Sequence, residues 1–163
     1  MATIVTGTGP MSVHDLPQED DGPRLELVDG SLLVTPMARL QHQRLVADIV
    51  RQLSADALLG DAAVLPGVNV IADDRTLVIP DVAVVTGEAA ARDTLGVTPE
   101  DLVVAVEVES ESTRRRDRTL KRALYAEWGV AYWLVDPVEG TVTRFPGRDG
   151  DVPLTSPAVR AQR

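Results

Sequence analysis

The sequence contains no cysteine and few aromatic residues, and both shortages restrict what the protein can be. Without cysteine there can be no disulfide bond and no thiolate metal site, so a metal would need carboxylate, imidazole or carbonyl ligands. Such ligands favour hard cations, Mg²⁺ or Mn²⁺ among them. Because apolar residues make up 44% of the chain and aromatics only 3%, the core must be aliphatic. This composition is typical of helices packed on a valine-rich sheet and predicts an α/β fold.

The chain also lacks long apolar runs. Its most hydrophobic stretch, residues 102–108, is too short to cross a bilayer, and the first ten residues have neither the basic start nor the apolar run of a signal peptide. We therefore expect a cytoplasmic protein with no membrane partner. A length of 163 residues suffices for one domain. We expect a mostly irregular segment at 1–22, one folded domain at 23–146 and a mobile tail at 147–163.

The net charge of −9 excludes an even coat of positive charge for nucleic acid, but not a local basic patch. Lys121 is the single lysine among 16 basic residues. Lysine, unlike arginine, readily changes its pKa when it is buried. A single lysine among so many arginines is therefore a candidate for a chemical role.

Local signals predict the first elements of the domain. Asp29-Gly30, between two short β-prone runs, is typical of a two-residue hairpin turn with positive φ angles. From 39 to 59 apolar residues recur every three or four positions, which predicts an amphipathic helix ended by Gly60.

The middle of the chain predicts a sheet. Residues 63–71 are typical of a strand with a bend at Pro66-Gly67. Residues 102–108 are apolar without alternation, which indicates a central strand covered on both faces. A helix at 112–128, ended by Gly129, should follow it.

Three acidic residues stand at strand ends. Asp81 follows a proline between two β-prone runs, and Glu107 and Glu109 lie at the end of the central strand. Residues two apart on a strand share a face, so the two glutamates should project the same way. Clustered buried carboxylates repel one another unless a cation lies between them. We therefore treat these three carboxylates as candidate catalytic groups around a divalent metal.

The helix after the central strand has the opposite charge. Lys121 and Tyr125, four residues apart, should share one helix face. Basic helical side chains can hold phosphates beside a metal that activates water. The candidate nucleic-acid-binding residues are Arg114, Arg115, Arg116 and Arg118.

Several segments, taken in order, carry a resemblance to a known family. They are Leu25-Glu26-Leu-Val-Asp29-Gly30, His42-Gln43, Ile79-Pro80-Asp81-Val82, Val106-Glu107, Ser110 to Asp117, Lys121, Tyr125 and Tyr132-Trp-Leu-Val-Asp136. Together they resemble the Uma-type putative restriction endonucleases, a bacterial branch of the PD-(D/E)XK nuclease superfamily. The resemblance covers roughly residues 24–145, and the ordered set carries it rather than any single motif.

The resemblance implies a restriction-endonuclease-like fold, a mixed sheet flanked by helices, over the domain at 23–146. It implies an endonuclease that hydrolyses DNA phosphodiester bonds with Mg²⁺ or Mn²⁺. Asp81, Glu107 and the carbonyl of Val108 would then be metal ligands. Lys121 would orient or activate the attacking water and offset charge on the phosphate.

Supporting roles and departures also follow from the resemblance. Glu26, His42 and Tyr125 would support the site. Glu109 stands where the branch usually has an apolar residue, and Glu111 where it often has proline. The extra acid at 109 could recruit a second ion or pair with the lysine and quiet it.

Two other function classes stay open at this point. One is a nuclease-like module that binds nucleic acid or protein without cleaving it. The other is a structural domain in which Glu107 is ion-paired with an arginine of the next helix. A homodimer is compatible with the predicted hairpin and an exposed edge strand.

Overall fold

The computed structural model describes residues 3–5, 9–16 and 24–161. The expected boundary of the domain at 22 and 23 lies outside these residues, as do the last two residues of the tail. Ten strands are present in the described ranges: β1 Thr3–Val5, β2 Arg24–Val28, β3 Ser31–Thr35, β4 Ala63–Pro66, β5 Val70–Asp73, β6 Thr76–Val78, β7 Val82–Val85, β8 Leu102–Val108, β9 Ala131–Asp136 and β10 Thr141–Phe145. The α-helices are α1 Leu40–Ser54, α2 Gly87–Ala90, α3 Arg114–Arg116 and α4 Arg122–Trp128. Short 3₁₀ turns occupy Val13–Asp15 and Pro99–Asp101.

The strands form two sheets of five. The first sheet has the order β1-β3-β2-β6-β5 and is antiparallel throughout. The second has the order β10-β9-β8-β7-β4 and is mixed, because β8 and β9 run parallel. The α/β class with helices beside a mixed sheet is confirmed. The strands are divided between two sheets, however, whereas the sequence predicted one.

The second sheet is covered on both faces, as its continuous apolar strands predict. One face packs on α1 in a cluster formed by Leu45, Val46, Ile49, Leu53, Val82, Val84, Val104, Val106 and Trp133. The other face packs on α4 and the first sheet through Val28, Val78, Ala83, Val85, Ala105, Tyr125 and Tyr132. Since neighbouring strand residues point to opposite faces, Ala105 and Glu107 lie on the side of α4. This alternation brings an acidic side chain to the junction of the two sheets.

The hairpin prediction is confirmed, since Asp29 and Gly30 have φ angles of 51° and 77° between β2 and β3. The bend at Pro66-Gly67 is not inside one strand. It is the place where the chain leaves the second sheet and enters the first. A proline, with no N–H to donate, and a glycine at φ 62° suit such a change of direction.

Helix α1 ends earlier than the periodicity predicted. It stops at Ser54, and Gly60 lies beyond it rather than at its C-terminus. The side chain of Asp56 accepts a hydrogen bond of 2.9 Å from the N–H of Leu58. Aspartate competes for backbone donors in this way, which favours a turn over continuation of the helix.

The predicted helix at 112–128 is present from 114 to 128, but it is not uniform. A π-helical turn, Asp117–Lys121, separates α3 from α4. The extra residue in this turn leaves both Asp117 and Lys121 buried. Gly129 ends α4 with φ 71°, as predicted. No helix in the described part of the chain is long and apolar enough to span a membrane.

The segment after β10 has no helix or strand through residue 161, yet it is anchored to α1. The amide of Gln52 exchanges two hydrogen bonds with the backbone of Ala158, at 3.1 and 2.8 Å. Leu154 is buried in the cluster on the α1 face. These contacts tether part of the segment that composition predicted as mobile.

Candidate active site

The ammonium group of Lys121 lies where the two sheets meet beneath the helix. Its Nζ is 2.5 Å from Glu107 Oε1, at the end of β8, and 2.8 Å from Glu26 Oε1, in β2. It also donates to the carbonyl of Ile79 at 3.3 Å. Three chain segments far apart in sequence therefore converge on the single lysine. Glu107 is paired with this lysine, and not with an arginine of the helix.

Asp81 is fixed to the same strand end. Its Oδ2 accepts a hydrogen bond of 2.8 Å from the N–H of Val108. Its Oδ1 accepts one of 2.8 Å from Nη1 of Arg24 and lies 3.3 Å from Nε2 of His42. The strand end thus brings Asp81, Glu107 and Val108 together, and His42 faces this group.

The charges of the buried groups depend on one another. Burial raises the pKa of Glu107 well above its ordinary value, and nearby Asp81, Asp117 and Glu26 add to this effect against the opposing charge of Lys121. Burial would lower the pKa of Lys121, but the surrounding carboxylates outweigh it and hold the pKa above its ordinary value. Lys121 therefore stays protonated at neutral pH and acts as a cation and hydrogen-bond donor rather than a base.

The pKa of Asp81 is shifted in the opposite direction to that of Glu107. Burial would raise its pKa, but the hydrogen bond from His42 and the charge of Arg24 lower it far below the ordinary value. Asp81 is thus ionised at neutral pH, so at least one negative oxygen is available at this strand end.

Glu26 and Tyr125, the two other supporting candidates, are completely buried. Glu26 Oε1 also accepts the N–H of Ile79 at 2.8 Å, which fixes the carboxylate between β2 and the end of β6. The ring of Tyr125 stacks on Tyr132 at 5.0 Å, and its hydroxyl has no hydrogen-bond partner within the described ranges. Tyr125 therefore packs beneath the charged groups as part of the core.

Two residues of this cluster, Arg24 and Asp117, were not singled out from the sequence, and a third, Arg116, was predicted to bind nucleic acid and not to lie beside Glu26. Arg24 is two residues before Glu26 on β2, and a period of two would have placed them on one face. Asp117 is four residues before Lys121, the spacing at which helical side chains are neighbours. Arg116 has Nη1 3.5 Å from Glu26 Oε2 and donates to Thr35 Oγ1 at 2.9 Å. The spacings of Arg24 and Asp117 are visible in the sequence, but spacing alone does not identify the partner that each side chain contacts.

Glu109 belongs to a second cluster, here called the rim cluster, formed by Glu109, Asp136, Arg114 and Arg118. Both guanidinium N–H groups of Arg118 donate to the two oxygens of Glu109, one of them at 2.8 Å. Arg114 Nε is 3.4 Å from the same carboxylate, and both arginines also approach Asp136. Glu109 therefore pairs with arginine and does not reach the lysine.

The proposed DNA-binding arginines consequently differ in their surroundings. Arg114 and Arg118 belong to the rim cluster, and Arg116 is mostly buried against Glu26. Arg115 is exposed and has no ion-pair partner among the described residues. Of the four, Arg115 is the one whose charge is not already neutralised.

A wide cleft opens above the buried charges. Its walls come from the loop 36–39, the start of α1, the end of β8 and the start of the basic helix. Asp81, Glu107, Val108 and His42 all line it. The predicted metal ligands are mostly buried and lie together at the base of one cleft.

A family model described as Uma2, putative restriction endonuclease, matches residues 11–160. The chain belongs to the Uma2 family. Its fold is also similar to the crystal structure of a putative nuclease belonging to DUF820 from Anabaena variabilis ATCC 29413, at TM-score 0.62 and 20% identity, covering 85% of this chain and 81% of that one. No curated protein matches the chain. Family and fold together support a restriction-endonuclease-like nuclease, for which nucleic acid is the substrate class.

The donor set of this Uma2 chain is compatible with a hard cation. Two carboxylates and a backbone carbonyl are oxygen donors, which Mg²⁺ and Mn²⁺ prefer. No three acidic or imidazole side chains in the described ranges converge as a complete metal cage. Magnesium usually takes one or two carboxylates and keeps several waters, so a partial set in an open cleft fits its chemistry.

Proposed function

We propose that this protein is a metal-dependent endonuclease that hydrolyses phosphodiester bonds in DNA. The single observation that carries the proposal is the convergence of Asp81 and Glu107 on one cleft, with the ammonium of Lys121 2.5 Å from Glu107. Acidic ligands beside a buried cation are what phosphodiester hydrolysis requires, because negative charge develops on the phosphate as it reacts. Mg²⁺ or Mn²⁺ would be held by Asp81, Glu107 and the carbonyl of Val108.

Each residue has a definable task in this reaction. A divalent metal held by Asp81, Glu107 and the carbonyl of Val108 would supply Lewis acidity and lower the pKa of water. Lys121, protonated and fixed by two carboxylates, offsets negative charge at the phosphate. Its three N–H groups are directed at Glu107, Glu26 and the carbonyl of Ile79, so its contribution is its charge and the positioning of Glu107. His42, held beside Asp81, keeps that carboxylate in place. Arg115 at the exposed start of the helix attracts the DNA backbone.

The test is cleavage of plasmid and single-stranded DNA with Mg²⁺, Mn²⁺ or EDTA. We expect cleavage with either metal, none with EDTA, and none from Asp81→Asn, whose amide can still accept the Val108 N–H. Asp48→Asn is the matched control, since Asp48 lies on α1 outside the cleft and, among the described residues, pairs only with Arg51. Equal cleavage by wild type and Asp81→Asn would indicate contamination and refute the proposal.

A second candidate function is binding of nucleic acid or protein without cleavage. The pairing of both proposed acidic metal ligands favours it, because Glu107 is neutralised by Lys121 and Asp81 by Arg24. This candidate predicts DNA binding with no product under any metal, and binding that Lys121→Ala leaves intact. Metal-dependent cleavage that Lys121→Ala abolishes would exclude it.

A homodimer is a further proposal, supported by the edge strand β10, which pairs only with β9 among the described strands. An unpaired edge offers backbone groups to a second copy. Light scattering coupled to size-exclusion chromatography measures the mass directly. A monomer of 17.5 kDa at working concentration would reject this proposal.

A further inference from the structure

The contact between Arg24 and Asp81 raises a question that the proposed function leaves open. Arg24 Nη1 donates to Asp81 Oδ1 at 2.8 Å, so a guanidinium binds an oxygen that the proposed function assigns to a metal. The other oxygen of Asp81 is held by a backbone N–H. A cation approaching Asp81 Oδ1 therefore meets Arg24 and His42.

Arg24 differs from the other cations of the cluster. The side chain of Lys121 is 1% exposed and that of Arg116 is 12% exposed, whereas that of Arg24 is 27% exposed and lines the cleft. Lys121 and Arg116 also have carboxylate partners away from Asp81. Among the described ion pairs Arg24 has Asp81 as its single partner. Arg24 is thus the cation that can leave without opening the core.

The balance of charge in the buried cluster gives a reason for Arg24 to leave Asp81. Four carboxylates, those of Glu26, Asp81, Glu107 and Asp117, are buried around three cations, Lys121, Arg116 and Arg24. When all four acids are ionised they exceed the three cations by one, and a divalent ion replacing one guanidinium corrects that excess. In the metal-free protein the excess is relieved by the raised pKa of Glu107. Repulsion between clustered carboxylates is costly at low dielectric, so the exchange has a driving force.

We propose that Arg24 is a displaceable counter-ion of the metal position: it neutralises Asp81 in the metal-free protein and yields Oδ1 when a divalent cation binds, which turns its guanidinium into the cleft. This inference rests on the metal site of the proposed function. The arginine and the metal compete for one carboxylate oxygen. Metal affinity is therefore set partly by how strongly Arg24 holds Asp81.

Calorimetry with Mn²⁺ on the full chain, without DNA, tests the competition. We expect Arg24→Gln to bind Mn²⁺ about tenfold more tightly than wild type, which corresponds to about 1.4 kcal/mol. Arg24→Lys retains the charge and should stay close to wild type. Arg92→Gln is the control for loss of one positive charge, because Arg92 pairs with Asp101 and does not line the cleft.

A second measurement uses the wild-type protein and needs no variant to fold. Phenylglyoxal modifies accessible guanidinium groups, and peptide mass spectrometry reports the rate at Arg24. We expect Mn²⁺ to accelerate modification of Arg24 and to leave that of Arg92 unchanged. In Asp81→Asn, modification of Arg24 should already be fast and independent of Mn²⁺.

The outcomes separate this inference from the proposed function. If wild type binds Mn²⁺, Asp81→Asn does not, and Arg24→Gln binds no more tightly than wild type, the exchange is refuted while the metal site stands. Protection of Arg24 by Mn²⁺ would refute it as well. If neither wild type nor Arg24→Gln binds Mn²⁺, the exchange and the metal site fail together.

Discussion

One basic helix, residues 114–128, contacts two acidic clusters, and the two are built differently. In the rim cluster, two acids meet two arginines whose side chains are about half exposed, at 45% and 50%. In the buried cluster around Lys121, four acids meet three cations and the lysine is 1% exposed. The rim cluster is balanced, and its two arginines are half exposed although the carboxylate of Glu109 is buried, so water screens its pairs and they contribute less to stability. The buried cluster has excess acid and little water, which makes its residues costly to remove and able to bind a cation.

The largest expected effect comes from removing the central cation. Lys121→Met leaves Glu107 buried without its cation and Glu26 with Arg116 alone, and we expect the free energy of unfolding to fall by about 3–5 kcal/mol. Urea denaturation measures it. Arg118→Met removes a cation from the rim cluster three residues away and should change the urea midpoint far less. Similar losses of unfolding free energy in both variants would show that the two clusters contribute equally to stability.

The next effect concerns activity. Glu107→Gln removes a proposed metal ligand, and loss of a metal worth several kcal/mol at the transition state predicts a fall in cleavage rate of about 100-fold or more. Glu109→Gln alters the adjacent acid in the rim cluster and should stay within a few-fold of wild type, as about 1 kcal/mol or less would give. Initial rates on plasmid DNA at saturating Mg²⁺ compare the two. A larger loss of cleavage rate in Glu109→Gln than in Glu107→Gln would show that the metal binds at the rim cluster and not at Glu107.

The pH dependence of stability tests the buried cluster without an activity assay. Because the pKa of Glu107 is raised on folding, the folded state keeps this proton at pH values where the unfolded chain has lost it. Stability of the metal-free wild type should therefore fall as pH rises from the unfolded pKa towards the raised one. Glu107→Gln cannot titrate, so its unfolding free energy should fall less than that of wild type over this window. Parallel curves for wild type and variant, measured by urea denaturation, would contradict the assignment.

The smallest expected effect is on DNA affinity. Arg115 is exposed, and each arginine that contacts a phosphate adds about one to the slope of log affinity against log salt. Arg115→Ala should lower that slope by about one, as measured by fluorescence anisotropy. Arg160→Ala, in the exposed tail, is the control and should leave the slope unchanged. If the salt dependence of DNA affinity is unchanged in Arg115→Ala, the DNA backbone does not contact Arg115.

The sequence correctly predicted the features that depend only on neighbouring residues. The turn at Asp29-Gly30 and the end of the helix at Gly129 follow from backbone angles that these residues favour. The end of α1 was misjudged because a side-chain bond at Asp56 competes with helical periodicity. The π-helical turn Asp117–Lys121 leaves no periodic signature in a charged segment, so its effect on burial was not readable.

The sequence by itself determined that an acidic strand end would be followed by a basic helix, because alternation and helical period depend only on neighbouring residues. The tertiary structure alone decided which base meets which acid. It paired Glu107 with Lys121 and Glu109 with Arg118, and it brought Arg24 to Asp81 across 57 positions of the chain. The physical reason is that such pairs form only after two sheets and a helix pack together, and the packing is set by the whole apolar core rather than by any one segment.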